Sequence, residues 1–318
     1  MRHWRQRRWN LRRWKLGLAM TLIAGLLVVL AIPWLSVYGP YLRLRLSPAA
    51  GPEVTVRTEQ DQMIRMPMEE YLVGVLAGEM QPQDPPEALK AMAVAARSFA
   101  WLRVERGETL CATVHCQVWL SPEQRLQRWG ALNTPRFTEQ ILSAVAATRG
   151  QMLLYKNKVI DATYHASCGG RTESAAAVWG REIPYLQSVS CPEKPELREA
   201  RFTPGELDAR LGTALAAMAS KLRRNAVEVV DRTETGRVKR VRVAGEEIEG
   251  TRFRNALGLA STDLRLNWDG SGLRVETRGH GHAVGLCQAG AVAMGEKGDR
   301  YVGILGHYYP GTRLETLY

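Results

Sequence analysis

No acidic residue occurs in the first fifteen positions of this chain, where Arg2, Arg5, Arg7, Arg8, Arg12, Arg13 and Lys15 all fall. No charged side chain of either sign then occurs from Leu16 to Ser36. Wound as a helix rising about 1.5 Å per residue, that run covers roughly 30 Å of hydrocarbon. The basic flank stays cytoplasmic, so everything C-terminal to the run is sent outside. A cleaved signal peptide is the alternative, and it also places the remainder outside. The run is long for a signal peptide, however, and no small-x-small site follows it cleanly. Pro33 and Trp34 suit an outer membrane interface instead. The expected organisation is a flank at 1–15, a transmembrane anchor at 16–36, a juxtamembrane region at 37–65 and an outer domain at 66–318.

Other absences narrow the function. There is no low-complexity tract and no internal repeat. A general basic surface is also missing, although the net charge is +11. Nine of the 43 Lys and Arg residues lie at or before Arg45 with no acid among them, and the remaining 34 nearly balance 32 Asp and Glu. The basic character therefore belongs to a membrane flank, which excludes a nucleic-acid partner. Nothing resembles a phosphate-cradling loop or a Ser/His/Asp signature. Beyond the anchor and its flank roughly 270 residues remain, enough to bury a sizeable core.

Cysteine is sparse, with five in the chain: Cys111, Cys116, Cys168, Cys191 and Cys287. In an oxidising compartment such residues tend to pair. Cys111 and Cys116 share one loop with His115, which leaves a disulfide, a zinc site or free thiols open. Cys168 and Cys191 flank a helical segment, a spacing compatible with closing a loop, and Cys287 is then left over.

Strand periodicity marks Val54 and Val56, then Ile64 and Met66. Met68 to Met80 reads as a helix with Leu72, Val75, Leu76 and Met80 on one face. Asp84-Pro85-Pro86 reads as the capped start of an alanine-rich helix running to about Arg106. Thr134-Pro135 predicts the start of a helix ending at Gly150, and Thr203 to Glu206 forms a capping box for another. Hairpins are expected at 151–165 and 226–244. Strands at 264–268 and 273–277, helices at 285–295 and 301–308 and a last strand complete the pattern. Helices and strands mix without a βαβ rhythm, so the expected fold is one α+β domain.

Several polar residues sit oddly in this pattern. Glu79 ends an apolar helix beside Gly78, where burial would keep it protonated as an acid. Arg97 interrupts an alanine-rich packing face, the place of a buried ion pair or an anion site. His165, Ser167 and Cys168 lead into the Gly169-Gly170 turn, followed by Thr172. His280-Gly281-His282 precedes a second glycine-framed turn ending at Cys287-Gln288. A solvated helix-end Glu79, a structural Arg97 and a hydrogen-bonded His282 are the plainer alternatives. A Cys/His nucleophile pair using Cys168 or Cys287 is a further one.

Four blocks resemble the stage II sporulation protein D family. They are Glu70 to Met80, Ala88 to Ala100, Tyr164 to Thr172 and Gly281 to Ala291, and the resemblance spans roughly 66–318. It implies a lytic transglycosylase that cuts peptidoglycan glycan strands to 1,6-anhydro-muramyl products. The family's catalytic acid falls on Glu79. Arg97, Thr172 and Tyr185 match positions associated with glycan binding, and His165, Ser167, His282 and Gln288 join them as substrate-binding candidates. The implied partners are glycan strands, the membrane and the stage II sporulation proteins P and M during engulfment. No cofactor is required. Related domains enhance a cell-wall amidase without catalysis, which is the alternative activity. The chain departs from the family pattern in three places. Ala283 stands where glycine is usual, and Cys287 where serine is common. No histidine precedes Cys111 where a zinc-bearing member has one, which weakens zinc at Cys111 and Cys116.

Overall fold

The computed structural model describes residues 20–22, 24–29, 31, 51–215, 226–269 and 271–318. The flank at 1–15 and most of the expected anchor at 16–36 lie outside the described residues. Among those described, no helix is long and apolar enough to cross a membrane.

The chain enters its core through β1 (Glu53–Arg57), which pairs antiparallel with β2 (Met63–Pro67). Val54, Val56 and Met66 are buried, as their alternation predicts. Next come α1 (Met68–Glu79) and α2 (Pro86–Glu105). Helix α1 is buried on nearly every side, from Met68 to Ala77, and not along one face only. It packs against α2, a later helix and the loop 112–119, and a helix surrounded in this way has no need of amphipathicity. Helix α2 starts where Asp84-Pro85-Pro86 predicts, but Asp84 is not its cap. Pro85 holds that position without a side-chain bond, and the Asp84 carboxylate accepts the Gln81 amide at 2.8 Å.

Strand β3 (Leu110–Cys111) lies parallel to β1, and α3 (Pro122–Ala147) follows. The expected start of this helix at Thr134-Pro135 is displaced. A full capping box at Ser121 and Gln124 starts it earlier, and the helical run breaks at Gly130, whose φ is +73°. Thr134 donates its hydroxyl to the Gly130 carbonyl, so this Thr-Pro pair follows the break and does not itself cap.

Strands β4 (Gln151–Tyr155) and β5 (Lys158–Val159) form the expected hairpin. Strand β6 (Tyr164–His165) and the short helix α4 (Ala175–Trp179) come next. The following segment, from 197 to 278, builds a second apolar core. It contains β7 (Leu197–Phe202), α5 (Pro204–Leu211), β8 (Val227–Arg232), β9 (Val238–Val243), β10 (Glu246–Glu249), α6 (Gly250–Leu257), β11 (Leu264–Trp268) and β12 (Leu273–Arg278). Two antiparallel three-stranded sheets, ordered β10-β9-β8 and β11-β12-β7, enclose Phe253, Val241 and Val275. The chain then returns to the first core through β13 (Leu286–Cys287), α7 (Gln288–Glu296), α8 (Tyr301–Tyr308) and β14 (Arg313–Thr316). Strand β13 pairs parallel with β6, and β14 pairs antiparallel with β4. Mixed α+β architecture is therefore what the chain adopts. The stretch expected as one unit holds two apolar cores, the second inserted into the first.

The two cores are tied by buried polar groups. Glu173 accepts the hydroxyls of Thr233, at 2.7 Å, and Thr235. Arg237 donates to the Cys168 carbonyl and, at 2.9 Å, to Ser261.

Within the first core, Arg97 and Glu69 form a bidentate ion pair at 2.9 and 2.8 Å with both side chains fully buried. The remaining polar atoms are satisfied. Arg97 also reaches the Gln151 and Val145 carbonyls, while Glu69 accepts from Tyr318 at 2.6 Å and the Gly150 amide at 3.3 Å. Removing one partner strands the other as an uncompensated buried charge. Arg97→Ala should therefore lower unfolding stability by about 3–5 kcal/mol in urea titrations.

Candidate active site

The C-terminal end of α1 opens into a cleft of ≈ 580 Å3 that also takes residues from α2, β6, α4, α6 and the turn at 280–282. Glu79, the last residue of α1, stands in it. One oxygen of its carboxyl, Oε1, accepts the Val118 amide at 2.8 Å and the Tyr164 hydroxyl at 3.4 Å. The other, Oε2, accepts the Gln288 side-chain amide at 3.0 Å. Burial pushes the Glu79 carboxyl above its ordinary value of 4.5, and the hydrogen bonds from Val118, Gln288 and Tyr164 pull the other way. Burial thus favours the proton on this carboxyl, while three donors are in place to support its anion. Among the described residues lining this cleft it is the only carboxyl.

Each donor is placed by a specific piece of chain. Val118 belongs to the loop after β3, which lies directly on α1. A side chain at Gly78 would collide with the Val118 carbonyl, so only glycine permits this approach. Tyr71 on α1 donates to Gln117 at 2.9 Å and fastens the same loop. Cys111 and Cys116 close that loop as a disulfide, one of the three states the sequence leaves open. His115 Nδ1 lies 3.7 Å from each sulfur. With both sulfurs in a disulfide there is no thiolate at this position, and the donor set as bonded does not fit zinc. Tyr164 sits on β6, and Gln288 opens α7 directly after β13, so the parallel β6–β13 pairing brings both to Glu79. Burial raises the Tyr164 phenol well above its ordinary value, which keeps it a neutral donor.

His165 and His282 are neutral for the same reason. Burial drives His165 well below its ordinary value, and His282 down to about 4. His165 Nδ1 lies 3.1 Å from the Val284 carbonyl, while His282 Nδ1 accepts the Val284 amide at 3.1 Å. The His282 ring packs 5.5 Å from the ring of Trp179, which is 44% exposed at the mouth of the cleft. Arg254 on α6 adds a cation from the inserted segment. The guanidinium of Arg103 stacks on Phe99 at 3.3 Å and pairs with Asp161 at 3.0 Å.

Of the residues the sequence singles out, Glu79, His165, His282 and Gln288 meet here. Ser167 does not line the cleft; its backbone pairs with His280 in both directions and steadies the histidine turn. Arg97 is sealed in its ion pair with Glu69, so its expected glycan contact gives way to the structural alternative. Thr172 is fully buried, and its hydroxyl accepts the Val189 amide at 2.8 Å, which makes it a brace of the 187–189 turn. Tyr185 packs on Tyr155 with ring centroids 5.6 Å apart and accepts the Asp161 amide at 3.4 Å. It too lies outside the residues lining the cleft. Tyr164, Trp179 and Arg254 go unmarked by pattern. An aromatic residue beside a glycine, as in Trp179-Gly180, is the faint signal that Trp179 offered.

Comparison with known proteins fits this arrangement. The family model described as SpoIID, stage II sporulation protein, matches residues 56–155, the stretch that carries Glu79. The stage II sporulation protein D of Bacillus amyloliquefaciens is 35% identical over 280 residues, covering 84% of this chain and 79% of that protein. This chain belongs to the stage II sporulation protein D family. The family member of Bacillus subtilis (strain 168) is 33% identical over 283 residues, covering 85% of this chain and 80% of its own. A second protein of that bacterium, an amidase enhancer, is 28% identical over 299 residues, covering 77% of this chain but 40% of its own length.

The raised carboxyl has a consequence for stability. Below 4.5 Glu79 is protonated in both folded and unfolded chains and exerts no pH effect. As pH rises through the raised folded value, the unfolded chain ionises first and gains, so the folded state loses stability. Glu79→Gln should therefore match the parent chain in Tm under acid and exceed it near neutral pH, as read by thermal melts across pH.

Proposed function

We propose that this protein is a membrane-anchored lytic transglycosylase that cleaves peptidoglycan glycan strands outside the cytoplasmic membrane during sporulation. The observation that carries the reading is the carboxyl of Glu79, which burial pushes above its ordinary value and which has no second carboxyl beside it among the described residues lining the cleft. Ordinary glycosidases place two carboxyl groups about the scissile bond, because a water or a nucleophile must be handled as well as the leaving oxygen. A lytic transglycosylase dispenses with water. The C6 hydroxyl of N-acetylmuramic acid attacks its own anomeric carbon, and the bond from that carbon to the leaving oxygen breaks.

One group then serves twice. Protonated Glu79 gives its proton to the departing glycosidic oxygen. The resulting carboxylate, supported by Val118, Gln288 and Tyr164, takes the proton of the attacking C6 hydroxyl as the anhydro ring closes. The carboxyl ends protonated and ready for another cycle. Because the nucleophile is part of the substrate, holding the sugar in the reactive ring shape supplies much of the rate. Trp179 offers an apolar face for a sugar ring, and neutral His165 and His282 and the cation of Arg254 offer polar contacts along the strand. The partners in this reading are glycan strands and, with them, the stage II sporulation proteins P and M.

The likeness to an amidase enhancer favours a second reading, in which the cleft binds glycan and assists a separate amidase. Incubation of the purified chain with peptide-stripped glycan strands separates the two. Mass spectrometry should find anhydro-muramyl products, and Glu79→Gln should reduce them by at least about a hundredfold, the scale of a general acid's contribution, while glycan co-sedimentation persists. No product from the parent chain beside an active control enzyme would overturn the catalytic reading. Trp179→Ala should weaken glycan retention severalfold and cost little in Tm, since the residue is 44% exposed.

A further inference from the structure

Behind the cleft, away from the Cys111 loop, three thiols and a carboxyl converge. Cys168, Cys191 and Cys287 are not joined to one another, so the loop closure anticipated between Cys168 and Cys191 is not formed. Their sulfurs and an oxygen of Glu193 all lie within 4.8 Å of one another. Zinc–sulfur bonds of about 2.3 Å in a tetrahedron place sulfurs about 3.8 Å apart, a contraction within the reach of side-chain rotation.

The surroundings are built for negative charge. Cys287 Sγ accepts two backbone amides, Cys168 at 3.3 Å and Gly290 at 3.4 Å, the second from the first turn of α7. The Tyr308 hydroxyl lies 3.1 Å from Cys191 Sγ. A side chain at position 290 would overlap both the Tyr308 hydroxyl and Cys191 Sγ, so glycine keeps this space open. Glu193 is 8% exposed, and its Oε1 is held by the Gly169 amide at 2.5 Å and the Gly170 amide at 3.2 Å. Its buried Oε2 has no hydrogen-bond partner. A buried carboxylate oxygen left without a donor is costly, and a cation resolves that cost.

We propose that Cys168, Cys191, Cys287 and Glu193 together bind one thiophilic divalent cation, zinc first among them, as a closed four-coordinate structural site. The three thiols lose their protons to solvent on binding, and the sulfur lone pairs and the Glu193 carboxylate fill the coordination sphere. With no open position, the ion would activate no water. Its effect is positional. Cys168 follows the β6 strand that carries Tyr164 and His165, and Cys287 directly precedes Gln288. One ion would therefore pin both strands beneath Glu79.

The test uses the full chain, purified in detergent under reducing conditions without chelator. The Cys111→Ser/Cys116→Ser variant removes the other sulfur pair, leaving only the cluster. Elemental analysis of this variant should find about one zinc per chain after loading and desalting. Cobalt titration should give one equivalent with the intense visible bands of a tetrahedral thiolate complex. Each of Cys168→Ser, Cys191→Ser and Cys287→Ser in that background should abolish the bands, and Glu193→Gln should weaken cobalt affinity by at least about tenfold. Absence of both zinc and tetrahedral cobalt bands from the folded variant would overturn the proposal. So would intact-mass evidence of a disulfide among the three cysteines in protein isolated without reductant. Bands undiminished by all three cysteine substitutions would overturn it as well. The readouts are stoichiometry and spectra of the parent cluster, so they do not depend on any variant's enzymatic activity.

Discussion

Helix α1 carries a fully buried carboxyl in its first turn and a half-buried one in its last, and the contrast between them organises the molecule. Glu69 has a guanidinium, a phenol and an amide arranged around it. Its charge is fully answered, and the price is that α1, α2 and the segments at Gln151 and Tyr318 are held in one arrangement. Glu79 has three hydrogen-bond donors and, among the described residues, no cation paired with it, and burial then favours its proton. A single helix thus turns the same functional group into a structural anchor at one end and an acid at the other.

The inserted core gives this arrangement one of its walls. Glu173 and Arg237 lash it to the first core at the turn after β6. Arg254 reaches the cleft from it. Glu79 and the groups that bond it come from the first core, in two stretches separated by the insertion, whereas the inserted segment contributes a charged contact at the rim. The family model ends at residue 155, ahead of the insertion, and the match therefore rests on the helical half of the site.

Much of the first core was legible because its signals are local. Pro86 after an acid and a proline, alternating Val54 and Val56, and the Thr203 capping box all act over a few residues. The place of Glu79 in a cleft was legible through its apolar helix and Gly78. What failed was long-range. Arg97 on an alanine face reads equally as an anion site or an ion pair until Glu69, 28 residues earlier, is found against it. Thr172 and Tyr185 were matched to the family by position, and their hydroxyls here accept the Val189 and Asp161 amides, contacts between segments that local pattern does not show. Cys287 lies far from Cys168 and Cys191 along the chain, so no spacing rule brings it to them. Thr134-Pro135 misled because Gly130 breaks the helix a turn earlier through a positive φ that no neighbouring residue advertises.

Gly78 touches no atom of the carboxyl beside it, yet its missing side chain sets how near the 112–119 loop can come. The Val118 amide reaches Glu79 only at that separation. The proton affinity of the acid is thus written partly in a void on the helix surface. Any residue larger than hydrogen at position 78 would retune the chemistry without changing a single polar group. Tolerance to substitution around this site should accordingly follow distance between backbones more closely than distance to substrate.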